Sequence, residues 1–88
     1  MHAVVFQVDF VPGREKQQDG ELNFITGVIR STPGFVHGTW LGNAEHGLSC
    51  ILFDSEQAAR AVASGAALPP DASATLRSVD VYAVARDI

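Results

Sequence analysis

The sequence predicts an α+β fold with element order βαββαβ, and three observations predict it. Apolar residues alternate with period two in the first ten positions and again near the end. They recur at three-and-four spacing from Leu22 to Ile29, as on one side of a helix. Two short apolar runs in the middle are joined by a polar loop with glycine at each end. All of this fits within 88 residues, so the expectation is one domain, 1–88. A chain of this length buries only about 60–65% of the surface its unfolded form exposes, so its core is marginal on its own.

The first strand, Val4 to Phe10, puts Val4, Phe6, Val8 and Phe10 on one face and Val5, Gln7 and Asp9 on the other. Pro12-Gly13 ends it. The first helix starts between Arg14 and Gly20, with Leu22, Ile25, Val28 and Ile29 as its apolar stripe. Thr32-Pro33-Gly34 stops it, because proline biases the preceding residue away from helix and glycine allows a left-handed turn. Phe35 to Leu41 and Leu48 to Phe53 read as a hairpin across the loop from Gly42 to Gly47. Asp54 or Ser55 caps the second helix, which runs to about Ser64 and presents Ala58, Ala59, Val62 and Ala66 to the core. Asp54 with Gln57 resembles a capping box. Val79 to Arg86 is the last strand.

Two helices that each connect strands by right-handed crossovers land on the same face of one antiparallel sheet, in strand order 4-1-3-2. This is the ferredoxin-like sandwich. Its other sheet face carries Val5, Val84 and either Phe35 with Leu41 or Val36 with Trp40. Something must cover that face, and a second copy packed face to face would make an α/β barrel. The protein itself is therefore the first expected partner.

Ten acidic against six basic residues, with no Lys/Arg cluster, argue against nucleic acid as a partner. Apolar runs fall short of the roughly 20 residues a membrane span needs, so no membrane association and a cytoplasmic location are expected. The single cysteine, Cys50, forms no intrachain disulfide and reads as a buried thiol. His2, His37 and His46 lack metal-ligand spacing, and no nucleophile elbow, phosphate loop or dinucleotide fingerprint is present. No cofactor is expected.

Three stretches carry a resemblance: Phe10 followed by Pro12-Gly13, Thr32-Pro33-Gly34-Phe35 leading into Gly38-Thr39-Trp40, and Phe53-Asp54-Ser55-Glu56-Gln57-Ala58. With them, nearly the whole chain resembles the dimeric α/β-barrel superfamily that includes antibiotic biosynthesis monooxygenase domains. That group includes cofactor-free oxygenases, haem-degrading enzymes, isomerases and ligand-sensing domains, so the resemblance implies a fold rather than one chemistry. In its haem-degrading members a first-strand Asn acts with a Trp and a His from the second helical region. Gln7 stands at the comparable first-strand position, and Glu56 to Thr75 contains neither Trp nor His.

The residues that carry chemistry are Gln7, Asp9, His37, Trp40, His46 and Tyr82. Pairing Val5 with Val84 places Gln7 opposite Tyr82, where amide and phenol either orient a ligand or satisfy each other in a dimer core. The same register brings Asp9 near Asp80, two carboxylates that either share a proton or are simply solvated. His37 is a general base or a structural histidine, on the face opposite Trp40. Trp40 is a core or interface side chain, or a stacking platform for substrate. His46, in the hairpin loop, reads as solvated. Two functions follow. The first is a monooxygenase-like enzyme without cofactor, holding a small aromatic metabolite between helices and sheet, with Gln7, His37 or Tyr82 as catalytic groups and Trp40 against the substrate. The alternative is a non-catalytic module for a small hydrophobic ligand or a protein.

Overall fold

Alternation in the first strand is realised over His2–Phe10, β1, in the computed structural model of the protein, which describes residues 1–88. A 3-10 turn, Glu15–Gln17, leads into α1, Gln18–Arg30. Strands β2, Phe35–Gly42, and β3, His46–Phe53, form the hairpin. Helix α2, Glu56–Ser64, and strand β4, Ala74–Ala83, complete the order. The sheet is antiparallel with order β2-β3-β1-β4. That is the ferredoxin-like arrangement the element order predicts.

Both helices cover one sheet face. Val4, Ile51, Phe53, Ile29 and Ala59 form the core, with Phe6, Phe35, Trp40, Val79 and Val81 packed around it. Only nine residues of the 88 are buried, so the sandwich has a small interior for its length. Alanine on α2 lets that helix lie close to β1, β3 and β4. Helix α1 reaches the core through Ile25 and Ile29, while Phe24 is 73% exposed.

Ser55, not Asp54, caps α2: its Oγ accepts a hydrogen bond from the Ala58 N–H at 3.1 Å. The Asp54–Gln57 capping box is therefore replaced by a cap one residue later. Gly34 has φ +86 at the stop after α1, and a Cβ there would meet Asp54 Oδ1 at 2.7 Å and Ala58 Cβ at 2.9 Å. Glycine is required both by the left-handed turn and by the close approach of α2.

Three strand expectations change. Strand β4 begins at Ala74, five residues before Val79, because the chain after Pro70 returns directly to the sheet, with Val11 N–H donating to Ser73 O at 2.8 Å. Val84 lies beyond the strand, its N–H donating to Met1 O. Strand β3 begins at His46, which takes that histidine out of the loop. In β2 an irregularity between Phe35 and His37 absorbs Val36, so Phe35 and Trp40 both pack toward the helices while Leu41 faces away. Neither expected pair, Phe35 with Leu41 or Val36 with Trp40, shares a face.

Candidate functional site

Cross-strand pairing places the polar candidates on the sheet face turned from the helices. One row runs His37–Leu52–Ala3–Tyr82, the next Thr39–Cys50–Val5–Asp80, and the next Leu41–Leu48–Gln7–Ser78. A last rung sets His46 opposite Asp9 and Asp9 opposite Thr75. The middle of this face is apolar and its hairpin end is polar. Leu41 and Leu48 are exposed, and Val5, Cys50 and Leu52 are half-buried. Cys50 is thus a half-buried free thiol on this face rather than a core residue.

This register corrects the pairing expected from Val79 to Arg86. Val5 faces Asp80, Gln7 faces Ser78, and Tyr82 faces Ala3. Tyr82 lies four positions beyond Ser78 on β4, a span of about 13 Å, so the Gln7 amide and the Tyr82 phenol do not meet across the ladder. Asp9 is not beside Asp80 either. The cause is the early start of β4, where Ala74-Thr75-Leu76-Arg77-Ser78 pairs with β1 despite supplying little apolar signal.

His37 and Trp40 lie on opposite faces. His37 is exposed, its Nε2 3.3 Å from Thr39 Oγ1. Trp40 sits across from Ser49, on the helix side, and its ring covers Gly38, where a Cβ would meet the indole at 2.8 Å. None of Gln7, His37 or Tyr82 shares a face with Trp40.

A different group converges at the hairpin end. The irregularity between Gln7 and Val8 leaves Arg77 as an extra residue in β4, and its Nη1 is 3.7 Å from Asp9 Oδ1. His46 Nδ1 lies 2.7 Å from the same oxygen. The loop holds His46 firmly, because Asn43 Oδ1 accepts hydrogen bonds from the backbone N–H groups of Glu45 and His46 at 2.9 and 2.8 Å. Asn43 N–H in turn donates to His46 O. Beside these groups lies an open depression of about 380 Å³, lined by Gln7, Leu41, Asn43, His46, Leu48 and Arg77 among others. A second depression lies between α2 and β4, with Arg60, Ser64 and Asp80 on its wall.

Sequence reasoning named Asp9 and His46 singly and missed both their pairing and Arg77. The signal was present in the hairpin: extending β3 two residues back from Leu48 puts His46 in register with Asp9. Nothing in the sequence marked the irregularity that turns Arg77 toward them. No group of three or more His, Cys, Asp or Glu is placed to hold a metal ion.

No protein-family profile matches the chain, and no curated protein matches it. Solved structures do. An arginine-to-serine variant of MhuD, with two manganese protoporphyrin IX bound per active site, superposes with a TM-score of 0.73 at 17% identity, covering 100% of this chain and 98% of that one. MhuD of Mycobacterium tuberculosis, described as a haem degrader with two haems bound, gives 0.72 at 17% identity over 100% and 99%. A haem-free structure of the haem-degrading protein from the same organism gives 0.65 at 20% identity, again over 100% and 99%. Over its whole length the chain therefore shares the ferredoxin-like fold of the MhuD haem-degrading proteins.

Proposed function

We propose that the protein acts as a homodimer, with two sheets packed face to face into an α/β barrel, and that it binds a small, partly hydrophobic molecule rather than a haem. The observation that carries this reading is the uncovered sheet face. Leu41, Leu48, Val5, Cys50 and Leu52 form a contiguous apolar surface that neither helix reaches. A second copy of the same face is the simplest cover for its centre, Val5, Cys50 and Leu52, with Leu41 and Leu48 left at the hairpin end, and a two-fold interface is self-complementary. The small interior of the single chain points the same way.

MhuD, whose fold this chain shares, is described with two haems bound, and the residues here do not fit that group. A haem needs an axial donor aimed into a cavity wide enough for the porphyrin. Helices α1 and α2 and residues 65–73 contain no His, Cys, Tyr or Met. His2 is the histidine on the helix side, and its Nε2 stands 3.7 Å from Glu56 Oε2 at the first turn of α2. Under α2 the space is filled by Val4, Ile51, Phe53 and Ala59, each no more than 1% exposed. His37 and His46 lie on the opposite sheet face.

Sedimentation equilibrium tests the reading directly. Wild type is expected at twice 9.4 kDa at micromolar concentration, and a 9.4 kDa species overturns the dimer. Leu52→Glu, a charge in the middle of the apolar face, is expected to dissociate it. Titration with haemin is expected to give no saturable Soret shift; one haem bound per subunit would overturn the haem-free reading.

A further inference from the structure

We propose that His46, Asp9 and Arg77 form a proton-accepting site for a small phenol or enol, seated in the depression at the hairpin end of the open sheet face. The proposal rests on the ligand-binding reading above and names the ligand's chemistry. An ionised Asp9 Oδ1 can only accept, so at 2.7 Å it takes the His46 Nδ1–H, and in the neutral ring the lone pair then sits on Nε2. The ring cannot swing away without breaking that bond, and its backbone is held by the Asn43 turn. A fixed imidazole with a carboxylate behind it is the arrangement of a general base.

The depression supplies what a ligand of this class needs. Leu41 and Leu48 give an apolar floor for a ring, and Gln7 and Arg77 bring an amide and a guanidinium to the same wall. It lies at the end of the strands, so a second sheet stacked over Val5, Cys50 and Leu52 leaves it at the mouth of the barrel. Convergent polar groups beside apolar surface are the usual signature of a small-molecule site.

The step balances without any oxidant. The ligand O–H bond breaks, its proton forms an N–H bond at His46 Nε2, and the electron pair stays on the ligand oxygen. The resulting oxyanion pairs with the Arg77 guanidinium, and the imidazolium pairs with Asp9. Glu45, whose Oε2 is 3.7 Å from Nε2, is the other charged group facing the ring. His46 is the residue that would touch the reacting atom; Asp9 is a positioning residue.

Para-nitrophenol tests the site, because its phenolate form is coloured. Full-length wild type is expected to bind it saturably and raise the phenolate fraction. His46→Gln should abolish the rise. Arg77→Gln should weaken phenolate binding about tenfold, the size of one charge-assisted hydrogen bond at an exposed site. Asp9→Asn keeps an acceptor oxygen without the charge, so binding should persist with less ionisation. Arg60→Gln, on the far side of the fold, should change nothing. Melting temperatures of all variants must stay near wild type for these comparisons to count, and a His46→Asn variant serves if His46→Gln unfolds. No ionisation by wild type, or equal ionisation by His46→Gln, overturns the proposal. Sedimentation of the same samples separates the two readings: ionisation by a monomer overturns the dimer alone, and a dimer that does not ionise the probe overturns this site alone.

Discussion

The Glu21 carboxylate receives every hydrogen bond that Ser73 donates: the backbone N–H at 3.0 Å and the hydroxyl at 2.7 Å both reach Oε1, and the same N–H also lies 3.2 Å from Oε2. Together with Arg14 Nη1 on the carbonyls of Pro70 and Ala72, this ties α1 to the loop that enters β4. Ser73 is only 3% exposed, so water cannot readily replace the carboxylate. Glu21→Ala is expected to destabilise the fold by about 2 kcal/mol, the cost of leaving buried donors without a partner. Urea unfolding measures it, and a loss below about 0.5 kcal/mol, the scale of an ordinary surface substitution, would show that the tie is not needed.

Gly27 lies within α1, and a Cβ added there meets nothing within 4 Å. Gly27→Ala should therefore stabilise the protein by about 0.5–1 kcal/mol, the helix-propensity difference between the two residues. The same denaturation measurement checks it. A destabilised variant would mean that a second copy or a ligand packs against this part of α1.

Helix and strand order were legible in the sequence because each long element repeats its own period: Val4, Phe6 and Val8 by two, Leu22, Ile25 and Ile29 by three and four. Ends of elements were less legible. Ala74 to Ser78 is a strand because β1 offers it a hydrogen-bonding edge, not because its own side chains demand one. That single misplaced start moved the register by four residues and set Tyr82 against the wrong partner. The site suffered most, since Asp9, His46 and Arg77 come from three separate strands and meet through two local facts, a longer β3 and an irregular β4. The irregularity leaves no compositional trace, and the longer β3 shows only when the hairpin is extended back from Leu48 to His46.

Glu15 gives a pH dependence of known sign. Its own backbone N–H and that of Gly13, 3.2 Å from Oε1, hold its carboxyl below the usual value of 4.5. A carboxyl depressed in the folded state contributes stability above its unfolded pKa and loses it as pH falls through the lower folded value. The turn after Pro12 should therefore loosen on the acid side, and in Glu15→Gln that part of the dependence should disappear. Side-chain NMR titration of Glu15 reads this, and a midpoint at or above 4.5 would contradict the hydrogen bonds to Gly13 and Glu15.

Gln7 and Tyr82 supply the sharpest test of the register. Gln7 faces Ser78 and Tyr82 faces Ala3, so within one chain the two side chains are about 13 Å apart along the sheet. Substitutions that far apart add to within about 0.3–0.5 kcal/mol. Gln7→Leu and Tyr82→Phe combined should therefore give the sum of their separate effects on stability, measured in the Leu52→Glu background so that contacts between copies do not enter. A coupling clearly above that range would place the amide and phenol in contact. Strand β4 would then have to slide by four residues along β1, taking Arg77 away from Asp9 and His46 and removing the geometry on which the proton-accepting site depends.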